Sequence, residues 1–587
     1  MKISASGLQL SASATPGAFR NVTIPQIHGC GLVSDLVGMR VRTRGVVTEV
    51  TDRGYIVQDP QGDDDPSTSD AIFVDVDHPD QGDGSAASCS SGDIVVGDEV
   101  EVTGQVTLSA PRGKAWVQPV TILAGGVTTE VLHHGQRLPE PVVIGRAGRL
   151  PPDKDVFEAQ HFFGSLEWMR VRVDDAVVVG PTQKNGDVVV LAANGANAGT
   201  RTKRGGLLAT ESDCNPERIT LAMASTGQKG WPPPFGVSDR IVNVTGIMRH
   251  DAGAWKLIPE SDDGIISTGH LDREVARLTP TRTGLTVATF NVENLSARAR
   301  ERMATLGRTI VKNLCSPDII GVQEIQDNDG PEDTGNVDAS KTYAAIIQAI
   351  QDAGGPTYAW VDIPPQNNAD GGQRGGNIRP GFLYRTDRVT YVDSSKMRLG
   401  EDDPAFISCR KPLVCRFKFN GQELVVINNH LSSKKSGTDE LGLIQPPING
   451  AEAQRTAQAL CIGRYAKQTL DQNPKTNLVV LGDFNEECFH TPLRKLADFG
   501  LVPMDSLLKP NECYTYNHAG NSQALDHVFV PAHLLTKAEY EIVHLDSEFA
   551  DTGRISDHDP AIIRLTWSDS LKSKGAHSCK NRPSYFF

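Results

Sequence analysis

Asn477–Asn485 reads NLVVLGDFN, an apolar, β-branched run that stops at Gly482 and is followed at once by Asp483 and Asn485. A short apolar run bounded by turn residues suits a strand covered on both faces, as strands inside α/β layers are. Working outward, the same design recurs. Thr286–Asn291 (TVATFN) ends in Asn291, Asp318–Glu324 (DIIGVQE) ends in Glu324, and Glu423–His430 (ELVVINNH) ends in Asn429 and His430. Ala524–Val530 (ALDHVFV) opens near Asp526, and Ser556–Pro560 (SDHDP) sets Asp557 and His558 just before the strand Ala561–Leu565. Helical patterns lie between these runs, at 297–314, 343–352 and 452–470. The alternation predicts an α/β layered domain.

Sites in such layers form where strands end, because the loops converge there while the sheet holds them rigid. The residue types gathered at these ends suit phosphodiester hydrolysis. Glu324 and Asp557, helped by Asn291, offer the oxygen ligands that Mg2+ or Mn2+ takes, and such an ion would neutralise charge building on a phosphate. Asp483 is placed to orient or deprotonate a water, and Asn485 to donate to a phosphoryl oxygen. Asp526 would keep His558 in one tautomer. His430 would protonate the leaving oxygen or bind phosphate as imidazolium. Standing alone, Asp483 and Asn485 would read as turn residues and Glu324 as a surface carboxylate. Lys434 and Lys435 read as solvated loop lysines, and His527 and His544 as structural, since no partner motif surrounds them. The loop Gln366–Arg379 is Gly/Asn-rich with two arginines. It is read equally as a DNA-contacting loop and as a plain insertion.

Seven segments in order, FNVEN, IIGVQEI, RPGFLYR, NNHLSSK, LGDFN, LDHVFV and SDHDP, resemble the endonuclease/exonuclease/phosphatase superfamily. The resemblance runs from Leu285 to the end of the chain. It implies a four-layered α/β sandwich and a divalent-metal-dependent phosphoester hydrolase. Asn291 and Glu324 resemble its first metal-site residues. Asp483 and Asn485 resemble the pair that handles water and phosphate. Asp526 resembles the partner of the catalytic histidine, Asp557 and His558 the closing metal ligand and histidine, and His430 the histidine of deoxyribonuclease-like branches. Arg379 occupies a place where extracellular members often carry a basic residue, and with Asn429 it is taken as substrate-binding.

The N-terminal half reads as β structure. Strand-like runs at 39–50, 55–57, 71–76, 98–107 and 116–123 are separated by Gly, Asp and Pro, as in a small closed barrel of the oligonucleotide/oligosaccharide-binding (OB) type. Its pattern returns. Met39-Arg40-Val41-Arg42 recurs as Met169-Arg170-Val171-Arg172, Val102-Thr103-Gly104 as Val244-Thr245-Gly246, and Ala115-Trp116 as Ala254-Trp255. Three matches in one order suggest two copies of one module, the second with longer loops. Trp116 and Trp255 are read as barrel core rather than base-stacking residues. The expected organisation is an OB-like barrel at 20–135, a second β-rich, OB-like domain at 136–268, a linker at 269–284, the catalytic domain at 285–570 and a tail at 571–587. The barrels in front favour the branch of bacterial extracellular nucleases.

Bulk properties narrow the function class. A net charge of −14 over 587 residues argues against a passive DNA-coating protein, though not against a nuclease that meets its polyanion through bound cations. No apolar run is long enough to span a bilayer. The acidic loop Asp59–Asp70 reads as a solvated turn, with a structural Ca2+ as the sharper alternative. Ten scattered cysteines without a CxxC argue against zinc fingers and for disulfides in an oxidising compartment. The opening MKISASGLQLSASATPG lacks the apolar core of a signal peptide, so the chain is read as a mature exported form. The expectation is a secreted, monomeric, Mg2+- or Mn2+-dependent endonuclease acting on DNA, with RNA left open and no membrane partner. A phosphatase or sphingomyelinase-type phosphodiesterase is the alternative within the superfamily. A non-enzymatic surface binding protein is the alternative outside it.

Overall fold

The computed structural model of the chain describes residues 19–76, 94–110, 117–223, 234–251, 254–261, 266–267, 271–550 and 553–567. The expected tail 571–587, Cys89, Cys579 and Trp116 lie outside the described residues.

Five strands form the first unit: β1 (Arg40–Val50), β2 (Gly54–Gln58), β3 (Ala71–Asp75), β4 (Glu99–Ser109) and β5 (Val120–His133). They pair in the order β1-β2-β3-β5-β4, and β4 returns to β1, so the sheet closes on itself. Among these five the β3–β5 pair alone is parallel, and the short strand Arg20–Asn21 adds to β1 in parallel as well. The second unit repeats this. Its strands β6 (Arg170–Val178), β7 (Asp187–Leu191), β8 (Ile219–Ala222), β9 (Arg240–Asp251) and β10 (Ala254–Pro259) pair as β6-β7-β8-β10-β9, with β9 returning to β6 and β8–β10 parallel.

Two of the segments shared by the two halves, Met39–Arg42 with Met169–Arg172 and Val102–Gly104 with Val244–Gly246, sit at equivalent places. Val41 faces Gly104 and Arg42 faces Thr103 across β1–β4, while Val171 faces Gly246 and Arg172 faces Thr245 across β6–β9. At Gly246 a Cβ would lie 2.1 Å from the Ile258 carbonyl oxygen, so the close approach of β10 requires glycine. Trp255 is buried and stacks on Phe163 of helix α1 (Val156–Gly164) at 6.2 Å, a core role.

The C-terminal unit holds two sheets. One runs β13 (Tyr358–Val361), β14 (Arg379–Arg385), β12 (Ile319–Ile325), β11 (Gly284–Leu295), β23 (Ala561–Thr566) and β22 (Ala538–Ile542). The other includes β15 (Leu413–Phe419), β16 (Gln422–His430), β17 (Asn477–Asp483), β21 (Asp526–Pro531) and β18 (Leu501–Pro503), in that order. At the heart of each sheet is one parallel pair, β11–β12 and β16–β17.

Alternate residues divide the apolar side chains among three layers. Leu285 and Val287 of β11 meet Leu424 and Val426 of β16 and Val479 and Leu481 of β17 in one cluster between the sheets. Ala288, Phe290 and Val292 turn instead to helices α2 (Arg300–Arg308) and α3 (Ser340–Asp352). Val425, Ile427, Leu478 and Val480 turn to α4 (Glu452–Gln472) and α5 (Thr491–Ala497). Burial on both faces is why these strands lack a polar alternation. The helix expected at 297–314 is α2 continued by one π turn, Thr309–Asn313.

A hairpin, β19 (Tyr516–His518) and β20 (Asn521–Gln523), joins this unit to the second barrel. β20 pairs with Leu207–Leu208, and the Asn517 amide donates to the Val179 carbonyl. No helix among the described residues is long and apolar enough to cross a membrane.

The expectation of disulfides is not met among the described residues. All eight described cysteines are free thiols, and Cys415 and Cys461 belong to the apolar layers. Among the described residues the cysteines are unpaired, and the buried ones pack as small hydrophobes.

Candidate active site

The carboxyl ends of β11, β12, β16 and β17 meet the start of β21 and the loop before β23. β11 and β12 end irregularly. The registers shift between Asn291 and Leu295 and between Val322 and Ile325. Glu293, Asn294, Glu324 and Asn485 all adopt positive φ, from 46° to 64°. Left-handed backbone at non-glycine residues persists only where the surroundings enforce it, and here it re-aims side chains off the strand ends.

Asn291 lies at the centre and is completely buried. Its amide nitrogen donates to Glu324 Oε1 at 3.2 Å and to Asp483 Oδ2 at 3.0 Å, and its amide oxygen accepts from the Glu293 N–H. As placed, Asn291 thus orients the two carboxylates, whereas the sequence pattern suggested that it offers an oxygen to a metal. Glu324 also accepts the Asn294 N–H at 2.9 Å. His430 Nε2 lies 3.7 Å from Glu324 and 3.5 Å from Asp483. Asp483 Oδ1 accepts from the Asn485 backbone at 2.8 Å. The Asn485 side chain reaches the Leu431 carbonyl at 3.1 Å and Asp483 Oδ2 at 3.3 Å.

His558 Nδ1 and Asp526 Oδ2 are 2.7 Å apart, and Thr515 Oγ1 donates to the same Asp526 oxygen at 2.8 Å. His558 Nε2 faces Asp483 and Asp557, each at 3.9 Å. Ser556 Oγ donates to the Asn291 carbonyl and accepts from the His558 N–H, tying the last loop to β11.

Electrostatics follow from gathering like charges in a dry place. Burial pushes Glu324 up, and Asp557 adds to the shift. Burial also drives Asp483 up to about 7; the His558 charge opposes this, while Asp526 and Glu324 add to it. His430 is held well below the ordinary histidine value by burial, with Arg410 and His558 adding. Burial favours a neutral His558, but Asp526 and Asp483 outweigh it and hold this ring well above its ordinary value. Two histidines in one site therefore carry opposite protonation preferences, the pattern that separates a neutral group from a proton donor.

Glu324, His430 and Asp483 form one group whose ligand atoms lie within 4.8 Å of one another, and Asp483, Asp526 and His558 form another. Buried carboxylates that burial pushes toward neutrality, with His430 Nδ1 and Asp526 Oδ1 lacking hydrogen-bond partners, are the surroundings a hard divalent cation would relieve.

Two expectations are corrected. Arg379 does not reach this cluster. It is 2% exposed, and its guanidinium donates to the Asn377 and Val337 carbonyls and pairs with Asp362. At the head of β14 its fork closes a loop instead of facing a phosphate. Asn429 is fully buried with its amide on the Ile427 and Leu481 carbonyls. Strand alternation puts Asn428 and His430 on one face and Asn429 on the other. Asn428 spans the two sheets, donating to the Val322 and Gly381 carbonyls.

Sequence reasoning missed Thr515, Ser556, Tyr516, whose ring centroid is 4.8 Å from that of His558, and Arg410, whose charge acts on Glu324 and His430. Spacing singles out none of the four as a site residue. Lys184, on the β6–β7 loop of the second barrel, also reaches the rim, where it pairs with Glu293 at 2.9 Å.

No curated protein matches the chain. Residues 137–269 match a domain of unknown function, DUF8508. Among solved structures, a humanized D. rerio TDP2 is similar over 49% of this chain and 100% of its own, at 18% identity and TM-score 0.34. A mannosyl-6-phosphatase from Bacteroides thetaiotaomicron is similar over 48% of this chain and 100% of its own, at 17% identity and TM-score 0.32. The human Nocturnin catalytic domain is similar over 49% of this chain and 96% of its own, at 16% identity and TM-score 0.35. Residues 288–558 match the model of the Endonuclease/Exonuclease/phosphatase family, which supports placing this stretch of the C-terminal half in that superfamily.

Proposed function

We propose that the protein is a divalent-metal-dependent nuclease that hydrolyses phosphodiester bonds of DNA by attack of water, through a C-terminal four-layered α/β sandwich. The observation that carries the reading is the convergence of Asn291, Glu324, His430, Asp483, Asp526 and His558 from separate segments into one cluster, in which Asn291 hydrogen-bonds Glu324 and Asp483, Asp526 pairs with His558, and His430 and His558 stand 3.5 and 3.9 Å from Asp483. Glu324 and Asp557, with Asp483 beside them, would hold Mg2+ or Mn2+. When bound, such an ion supplies Lewis-acid stabilisation of charge on the phosphate.

The chain's own residues do the rest. Asp483, with a carboxyl that titrates near neutrality, takes a proton from the attacking water. Asn291 fixes the angle between Asp483 and Glu324. Asn485 and the His558 imidazolium donate to phosphoryl oxygens, and Asp526 keeps His558 charged and oriented. His430, kept neutral and 3.5 Å from Asp483, relays the proton taken there through Nε2 to the leaving oxygen.

The strand order of the two closed barrels supports an OB-type reading, and OB modules bind oligonucleotides. They stand here as the part that receives the nucleic acid. The alternative is a phosphatase of the same superfamily. It is favoured by the burial of Arg379, which removes one cation from the groove a polyanion would need. Export is a separate proposal, and the free thiols weaken its main argument; intact mass before and after alkylation decides it. Nicking of supercoiled plasmid in Mg2+ or Mn2+, absent in EDTA and in His558→Ala, is the expected result. Release of phosphate from small phosphomonoesters with plasmid untouched would replace this reading with the alternative. Cutting that survives both EDTA and the substitution would overturn the site.

A further inference from the structure

β21 carries a second polar cluster on its other face. Strand alternation turns Asp526 toward the reaction cluster and His527 toward the helix layer. There the His527 ring packs against Phe484 and Phe529 at 5.8 and 6.2 Å and is completely buried. His527 Nδ1 lies 2.5 Å from Asp505 Oδ2 and 3.4 Å from Cys488 Sγ. Cys488 Sγ lies 3.1 Å from that same Asp505 oxygen. One sulfur, one nitrogen and one oxygen thus close a triangle on themselves. Cys513, whose thiol is pushed well up by burial with the charges of Asp505 and Cys488 adding, is not part of this triangle.

We propose that Cys488, Asp505 and His527, whose ligand atoms all lie within 4.8 Å of one another, form a structural Zn2+ site distinct from the reaction cluster. The ligand set argues for the metal. A thiolate with an imidazole and a carboxylate suits borderline-soft zinc, whereas Mg2+ and Mn2+ prefer oxygen alone. Second, a metal-bound histidine commits its other ring N–H to a carbonyl or carboxylate, and His527 Nε2 sits 2.8 Å from the Glu486 carbonyl. Third, tetrahedral zinc with ordinary bond lengths sets its ligand atoms about 3.3–3.6 Å apart. Both sulfur edges of the triangle are within a few tenths of an ångström of this. The nitrogen–oxygen edge opens by about 0.8 Å when the cation replaces the proton between them. Binding releases the thiol proton and the proton between His527 and Asp505 to solvent, leaving Cys488 as a thiolate. The three ligands span 488 to 527 without a CxxC, which is why a spacing scan passes over them. Such an ion would pin the segment just after Asn485 to β21, and so brace Asp483 and Asp526 from behind.

The test uses the intact protein, and its outcome does not depend on the phosphodiester reading. Protein incubated with Zn2+ and desalted into excess Mg2+ should keep one equivalent of zinc. Co2+ in its place should give the near-ultraviolet thiolate charge-transfer band and the visible bands of a tetrahedral site. Cys488→Ser should lose that band and weaken Zn2+ binding at least about tenfold, while Glu324→Gln keeps both. Wild-type protein that retains no zinc, or a Co2+ spectrum without the thiolate band, would overturn the proposal, leaving a buried imidazolium–carboxylate pair. A Cys488–Cys513 disulfide found by mass would overturn it too. Should Cys488→Ser fold poorly, alkylation of the wild type replaces it. Zn2+ should then protect Cys488, a strong chelator should reverse the protection, and labelling at the same rate with and without Zn2+ would overturn the site.

Discussion

Two histidine–aspartate pairs lie within the last strands of the chain, and they differ in what surrounds them. Asp559, beside His544, is saturated. One carboxylate oxygen accepts the backbone N–H groups of Leu545, Asp546 and Ser547, and the other takes His544 Nδ1 and Ser547 Oγ. Tyr514 stacks on the His544 ring at 4.0 Å. Asp526, beside His558, is left open. Its Oδ1 has no hydrogen-bond partner, and His558 Nε2 looks across 3.9 Å gaps toward Asp483 and Asp557. The same two residue types make a brace at Asp559, where both carboxylate oxygens are fully engaged, and at Asp526 leave acceptor capacity in reserve, as the proposed reaction site requires. Saturation, more than residue identity, separates structure from function here.

Substitutions can break this contrast. The largest effect should come from Asp483→Asn: cleavage falling about 10²–10⁴-fold with stability unchanged or raised, since a buried carboxylate pushed toward neutrality is exchanged for a neutral amide. Steady-state cleavage and thermal melts check both halves. Asp559→Asn should do the reverse in kind and cost about 3–5 kcal/mol of stability, because it uncouples a buried charge from its partners. An equal loss of stability in Asp526→Asn would erase the distinction.

A finer prediction concerns pH. Asp483 titrates higher in the fold than in the unfolded chain. Its contribution to stability is therefore present below about pH 4 and is lost as pH rises through about 7. A cation at the site removes that penalty, so the rise in Tm on adding Mn2+ should be greater at pH 8 than at pH 5. An equal rise at both would place Mn2+ away from Asp483.

Arg379→Ala tests the other side of the comparison. It should destabilise by about 2–4 kcal/mol by leaving Asp362 unpaired, yet leave the salt dependence of cleavage unchanged. The smallest effects belong to the barrels. Gly246→Ala should cost about 1–3 kcal/mol against the Ile258 carbonyl. Gly104→Ala, whose nearest neighbour is Leu123 Cβ at 3.3 Å, should cost less than about 1 kcal/mol.

Much of this was legible in the chain. The apolar runs ending in Asn291, Glu324, His430 and Asp483 announced strands covered on both faces, and the polar residues at their ends announced a site. The repeated segments Met39–Arg42/Met169–Arg172 and Val102–Gly104/Val244–Gly246 mark equivalent strand pairings in the two closed sheets. What the sequence hid depends on contacts between distant segments. Thr515 and Ser556 matter through single hydrogen bonds to Asp526 and Asn291, and no spacing rule records such a bond. His527 read as structural because its partners Cys488 and Asp505 lie far away in sequence. Arg379 was misplaced because charge alone does not say whether a guanidinium faces solvent or closes a loop. Asn429 was misread despite a signal at hand, since alternation from Asn428 and His430 already turned it away.

The most direct test of the central claim is turnover of a defined DNA phosphodiester by wild type, Glu324→Gln and His558→Gln, each with Mn2+ and with the ion chelated. The account predicts turnover only for wild type with the ion, and a fall of at least about a hundredfold in each variant. Wild-type rates from Glu324→Gln, or turnover untouched by chelation, would contradict it.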